Sequence, residues 1–409
     1  MADIKQHSFP SGLQLLAEPM TGVQSAAFTF LTPAGNACQP HDQLGVAPLL
    51  AEVIGRGAGG LTSRQHSDAL DDLGVHRSIS NGNRHLRIGA VLVGDQLHDT
   101  LPLLLDQALA PNLDPKELEP ARDLCLQEID ALDDEPQSKV MIDLRSRHFP
   151  EPLGRPSVGK REHLEQITLD QLRAFWQDTV RPGGSILAVA GNIDFDALVQ
   201  RVGELTVDWA GSRDEIQTTA QPTRGTHHQD DDTEQVHIAL AYDALPDPDE
   251  RSILQRMGNA VLSAGTASRL FSEVREKRGL CYSVYASYAG MKDRGAILGY
   301  AGTTTPRAQE TLDVMLAEIH KLTDGITADE LERARVGMKS RLVIQGESTS
   351  ARASAIAADL YVRGKARTLS ELADQVDAVT LDAVNDFLKD NPPGDMTLAT
   401  IGRTALTIN

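Results

Sequence analysis

The chain repeats itself at one fixed offset. Lys116-Glu117-Leu118-Glu119-Pro120-Ala121-Arg122 returns as Asp329-Glu330-Leu331-Glu332-Arg333-Ala334-Arg335, and Ile167-Thr168-Leu169-Asp170 returns as Val379-Thr380-Leu381-Asp382. After the second pair each copy runs through a helical stretch, a Pro-Gly turn and an apolar strand, at 185–191 and again at 396–402. The offset stays near 210 to 213 throughout. One such match is coincidence; several at a shared spacing point to a duplicated ancestor and hence to two domains of like fold. A chain of 409 residues has room for both.

The boundary is legible in composition. From Gly211 through Asp232 the chain is polar and charged and lacks periodicity, so it reads as a connector. The expected division is an N-terminal domain at 1–210, a linker at 211–234 and a C-terminal domain at 235–409. Extended runs at 26–31 and 86–93 alternate with helical spacing at 99–110, 114–132 and 169–179, and Pro115 suits a first helical turn. Residues 235–242 alternate as a half-buried strand does. Strands are interrupted by pairs of helices rather than by single crossovers. That predicts an α+β fold and not a doubly wound parallel sheet.

Charge and cysteine usage narrow the function classes. With 58 acidic against 39 basic residues the net charge is −19, which argues against nucleic acid, whose phosphates need Lys and Arg. The excess reads first as a solubility device, and it also steers basic peptides. Cys38, Cys125 and Cys281 are far apart and in no metal-type spacing, so they read as reduced thiols. No stretch has the apolar length of a membrane span, and Met1-Ala2-Asp3-Ile4-Lys5-Gln6 shows no basic region followed by an apolar core. A cytoplasmic location with no membrane partner is the expectation.

Residues 266–284 form the sharpest local pattern. Ser263 or Thr266 is suited to cap a helix whose apolar face is Leu270, Phe271 and Val274. Gly279 is placed to end it in a left-handed turn, with a strand from Leu280. Arg275 and Tyr282 then project from either side of one helix–strand corner. The plain structural alternative is that Arg275, Lys277 and Arg278 complement a helix C-terminus and that Tyr282 is a core residue. Among the histidines, His41, His76 and His85 have no ligand spacing. His227-His228 before Asp230-Asp231-Asp232 looks metal-like but falls in the linker, and reads as surface histidine.

The run Leu44-Gly45-Val46-Ala47-Pro48-Leu49-Leu50-Ala51-Glu52-Val53 resembles the zinc helix of the pitrilysin/insulinase-type metallopeptidases, the family of the mitochondrial processing peptidases. There the pattern is G-x-x-H-x-x-E-H, with two His one helical turn apart on zinc and a Glu that activates water. Here the three positions hold Pro48, Ala51 and Glu52, so the chain resembles a degenerate member. Counting the family's spacing to its third ligand lands on Glu128, while the supporting Glu one heptad earlier is Ala121. Glu52 and Glu128 alone do not make a zinc site, which takes nitrogen or sulfur ligands and three protein side chains when catalytic. No metal or other cofactor is expected in this chain. Pro48 is tolerated if the helix starts near Gly45.

The resemblance extends to Gln127-Glu128-Ile129, His148-Phe149-Pro150, Ala190-Gly191-Asn192-Ile193-Asp194 and the family's S-R-L-F-x-x-x-R-E-x-x-G-L-x-Y segment, here from Ser268 to Tyr282. It implies two similar domains, each an antiparallel sheet with helices on one face, closing like a clam shell on a peptide. It also implies that Arg275 and Tyr282 grip substrate and help stabilise the tetrahedral intermediate. Some bacterial relatives divide the zinc and the Arg/Tyr pair between two chains. The expected function is therefore a non-catalytic, substrate-gripping subunit. It would be inactive alone, act on extended peptides, and pair with a homologous H-x-x-E-H chain that carries the zinc. The alternative is a structural or peptide-binding homologue in a homodimer or larger assembly.

Overall fold

The computed structural model describes residues 3–218 and 220–408. The strands form two sheets. The first contains β1 (Lys5–Ser8), β2 (Gln14–Pro19), β3 (Ser25–Thr32), β4 (His76–Asn81), β5 (Leu86–Val93) and β6 (Ile186–Gly191), in the order β1-β2-β6-β3-β5-β4. The second contains β7 (Thr226–Asp230), β8 (Gln235–Ala244), β9 (Cys281–Gly290), β10 (Gly295–Thr304) and β11 (Thr397–Gly402), in the order β7-β11-β8-β10-β9. Neighbours are antiparallel except for one parallel pair in each sheet, β2 with β6 and β7 with β11. Strand for strand, the second sheet repeats the first in order and direction; β1 is the one addition. The repeat offset in the sequence is thus a repeat of topology.

Both units are α+β. In the first, Phe28, Phe30, Leu187 and Val189 meet helical residues including Leu49, Leu50, Leu101, Leu105, Leu172 and Phe175. In the second, Ile238, Leu240, Ile297 and Leu398 meet Met257, Val261, Leu312, Met315, Val384 and Phe387. The helical spacing at 99–110, 114–132 and 169–179 corresponds to Leu97–Leu109, Pro115–Ala131 and Leu169–Thr179. Thr168 closes a reciprocal cap with Gln171 at the last of these.

To this plan the structure adds one helix on the opposite face of each sheet, and both come from the other half of the sequence. The first compact unit comprises 1–131, 151–220 and 345–368; the second comprises 132–150, 221–344 and 369–409. The helix Thr349–Arg363 lays Ala353, Ile356, Ala357 and Leu360 on Leu16, Ala27, Ile186, Ala188 and Ala190 of the first sheet. Alanine on both surfaces lets the helix approach closely. The helix Pro136–His148 lies on the second sheet, where His148 Nδ1 meets Thr397 Oγ1 at 3.0 Å. The contiguous division at 1–210, 211–234 and 235–409 is corrected in this respect. An amphipathic pattern shows that a face will be buried, not which sheet will bury it.

The linker expectation needs a second correction. β7 lies inside 211–234 and pairs with β11, Thr226 opposite Leu398. It is an edge strand of polar residues, Thr-His-His-Gln-Asp, so it carries no apolar alternation to read. Among the described residues, no helix is long and apolar enough to cross a membrane.

Candidate functional site

The helix Val46–Ile54 begins at Gly45, whose φ of +123° and crowding against Leu164 leave no room for a side chain. Gln39 Oε1 accepts from the N–H groups of Gly45, at 2.6 Å, and Ala47, at 3.1 Å, and so caps the helix from a distance. Pro48 sits in the first turn, where a missing N–H removes no intrahelical bond. Every residue of this helix is buried except Glu52. Pro48 and Ala51 are therefore part of the packed core.

Glu128 is carried by the neighbouring helix Pro115–Ala131. Burial raises its pKa, and the charge of Glu52 raises it further. Cys125, one turn before Glu128, is buried, and its thiol is pushed up to about 12 by burial and then by Glu52 and Glu128. Arg56, one turn after Glu52, is turned aside to Glu117 at 3.2 Å. Ala121 is wholly buried. Among the described residues, no three His, Cys, Asp or Glu side chains come together in a group able to hold a metal ion.

His227, His228 and His85 are engaged elsewhere. His227 and His228 lie in β7 and not in a free linker: His227 contacts Thr223 O at 2.8 Å and Arg147 at 2.9 Å, and His228 contacts Thr400 Oγ1 at 2.9 Å. His85 stacks edge-on against Tyr361, and burial lowers its pKa to about 4. His41 and His76 are exposed.

The corner at 269–282 is built differently from an ordinary helix end. Ser263 does not cap it; it closes the preceding helix, Ser252–Ser263, and its Oγ accepts from Ala286 N–H at 2.7 Å. The following turn widens at Phe271–Glu276 into a π-type segment, with Lys277 N–H on Ser272 O at 2.9 Å. Gly279, at φ +60°, ends it, with Leu280 N–H on Val274 O at 3.0 Å. Leu270 and Val274 are buried. Arg269 anchors the segment through two bonds to Glu330, of 2.7 and 2.9 Å, which hold the Glu330 carboxyl at about 2. Sequence reading passed over Arg269 because its partner lies 61 positions away.

Arg275 and Tyr282 stand apart from this scaffolding. Lys277 and Arg278 both bind Glu273, at 2.6 Å each, whereas Arg275 is exposed and lies over the Phe271 ring at 4.9 Å. Among the described residues neither Arg275 nor Tyr282 has a hydrogen-bonding or ion-pairing partner. The register explains Tyr282. Gly302 faces Ser283 and Thr303 faces Cys281, so Tyr282 is the extra residue of a β-bulge. The bulge turns it out of the sheet, and it is 78% exposed. It is not a core tyrosine. The structure thus presents a cation and a phenol on one corner, neither with a hydrogen-bonding or ion-pairing partner among the described residues.

Three comparisons bear on this geometry. Residues 166–338 match the profile of the family described as the peptidase M16 inactive domain. The chain is 28% identical over 408 residues to the uncharacterized zinc protease YmxG of Bacillus subtilis, covering 97% of this chain and 98% of that one. It is 25% identical over 398 residues to an uncharacterized zinc protease of Streptomyces coelicolor, covering 95% and 87%. Among solved structures it superposes on a peptidase M16 inactive domain from Pseudomonas fluorescens with TM-score 0.90, 20% identity and full coverage of both chains. A protease from Helicobacter pylori gives TM-score 0.89 at 17% identity, covering 98% and 99%.

Proposed function

Taking this chain as a degenerate pitrilysin-like member of the M16 peptidases, we propose that it is a non-catalytic, substrate-gripping subunit that works with a homologous zinc-bearing chain. The observation that carries this reading is the loss of the zinc ligands at Pro48 and Glu52 together with an exposed Arg275 and Tyr282. Arginine offers a fixed charge and tyrosine a hydroxyl donor, the two groups best suited to hold a peptide carbonyl as negative charge develops on its oxygen. The partner's zinc supplies the activated water when bound. Arg275 and Tyr282 of this chain orient the peptide and donate to the oxyanion.

A second reading, a structural or peptide-binding homologue within a larger assembly, is favoured by one observation. Val336, Val343 and Ile344 are exposed together on the helix Ala328–Gly346, a placement expected of a contact surface. Affinity purification of the tagged chain from its native host separates the two. Recovery of an H-x-x-E-H homologue, with peptide cleavage by the pair and by neither chain alone, is the expected result. Recovery of a homo-oligomer with no peptidase partner overturns the first reading.

A further inference from the structure

The helix Ala328–Gly346 carries Arg333, Arg335, Lys339 and Arg341, and these cations divide by their surroundings. Arg335 is paired with Glu332 at 2.9 Å and also donates to Val379 O at 2.6 Å. Lys339 is paired with Asp377 at 2.7 Å. Arg333 and Arg341 are exposed and, among the described residues, have neither a hydrogen bond nor an ion pair. Both line one cleft of about 50 Å³, bounded by this helix, the helix Ser252–Ser263 and the turn that follows it. The cleft has room for roughly four water molecules, and so for a carboxylate group. The acidic side chain in its lining, Glu330, is already taken by the two bonds from Arg269. Ser268 Oγ, also in the lining, is spent on Gly265 O at 2.7 Å.

Gly337 lines the same cleft, one helical turn from each arginine. Glycine inside a helix weakens it relative to alanine. Packing within the chain does not require it here: a side chain at 337 would meet no atom of the surrounding fold within 4 Å. Its absence leaves the helix backbone open to close approach by a second chain. The duplication sharpens the contrast. The offset of 213 that carries Ala121 to Ala334 also carries Leu124 to Gly337 and Glu128 to Arg341, and it brings the starts of their helices, Pro115 and Ala328, into register. Where the first unit bears the carboxylate of its degenerate metal helix pair, the second bears a guanidinium.

We propose that Arg333 and Arg341 form a clamp across this cleft for the carboxylate of an Asp or Glu side chain in an extended peptide, whose main chain crosses Gly337. Each guanidinium offers a fork of donors, and together they match the acceptor sites on both oxygens of a carboxylate. Two like charges lining one small cleft repel each other, and a carboxylate between them relieves that repulsion whereas a neutral side chain does not. Ala264, Ala267 and Ser268 of the lining lead directly into the segment that bears Arg275, so the cleft and the corner belong to one stretch of chain. This inference rests on the reading that the chain binds peptides, and it names a preference within that reading.

The test is equilibrium binding of fluorescently labelled peptides to the full chain, read by anisotropy. Two mixtures of end-capped nonapeptides differ only at a fixed central residue, Glu in one and Gln in the other, with uncharged residues elsewhere. The Glu mixture is expected to bind roughly 10-fold more tightly, the lower end of the range for hydrogen bonds to a charged group, because both arginines reach solvent. The double variant Arg333→Gln with Arg341→Gln is expected to bind the two mixtures alike. Gly337→Leu puts a side chain over the cleft and removes neither charge. It should weaken binding of the Glu mixture while thermal stability stays level or rises, a combination that a purely structural glycine would not give. Arg275→Ala should weaken both mixtures and leave their ratio unchanged. Equal affinity of the wild-type chain for the two mixtures, or an undiminished preference in the double variant, overturns the clamp and leaves the peptide-gripping reading intact. No binding of either mixture overturns both.

Discussion

Arg352 and Glu18, 334 positions apart in sequence, form a fully enclosed ion pair, with Arg352 Nε 2.8 Å from Glu18 Oε2 and side-chain exposures of 2% and 4%. The pair pins the exchanged helix Thr349–Arg363 to β2 at the edge of the apolar contact made by Ala353, Ile356 and Leu360. Two charges removed from water must satisfy each other, and removing one strands the other.

Arg352→Ala or Glu18→Ala is therefore expected to destabilise the chain by about 3–5 kcal/mol. The double replacement Glu18→Leu with Arg352→Met should recover most of that loss, since an apolar pair of similar volume leaves no buried charge. Urea denaturation of the singles and the double checks this. A loss below about 1 kcal/mol in both singles would show that the pair is solvated.

Acid should loosen the 269–282 corner. Glu330 has a folded-state pKa near 2 against an ordinary value of 4.5, chiefly through the hydrogen bonds from Arg269. A depressed carboxyl contributes stability that is present above the unfolded pKa and lost as pH falls through the folded one. The window is pH 4.5 down to about 2, with a contribution on the order of 3 kcal/mol. In Glu330→Gln the stability lost over that window should shrink by about this amount. Denaturation at stepped pH reads it directly. A variant whose acid profile parallels the wild type would show that the pair does not govern the response.

The isolated chain is expected to hold far less than one zinc per molecule and to leave peptides intact. Pro48 and Ala51 are packed into the core, and burial together with the charge of Glu52 raises the Glu128 pKa. Metal analysis after zinc loading and dialysis, with a peptide digestion alongside, is the measurement. Zinc-dependent turnover that disappears in Glu128→Ala would falsify the reading.

Tyr282→Phe removes one hydroxyl from a side chain that is 78% exposed. In a reconstituted pair with the zinc-bearing chain it should lower turnover roughly 100- to 1000-fold, about 2.7–4 kcal/mol, with association unchanged. Arg275→Ala should lower turnover as well, and it also loses the stacking on Phe271. Wild-type turnover in Tyr282→Phe at unchanged association would make the corner vestigial and the chain a scaffold.

Much of this protein is determined locally and can be read locally. The repeat offset announces two like units, because ancestry leaves the same residues at the same spacing. The runs at 86–93 and 169–179 are the strand and helix themselves, because period and capping are properties of neighbouring residues. The absence of two histidines at 48 and 52 needs no coordinates, and neither does the left-handed glycine at 279. Tertiary structure alone decided which sheet each amphipathic helix covers, why a polar stretch at 226–230 becomes a strand, and that a bulge turns Tyr282 outward. It alone shows that the charge of Glu52 reaches Glu128. These depend on contacts between residues far apart in the chain. Local pattern fixes what a segment can become, whereas the partner that completes it is chosen only when distant surfaces compete to bury it.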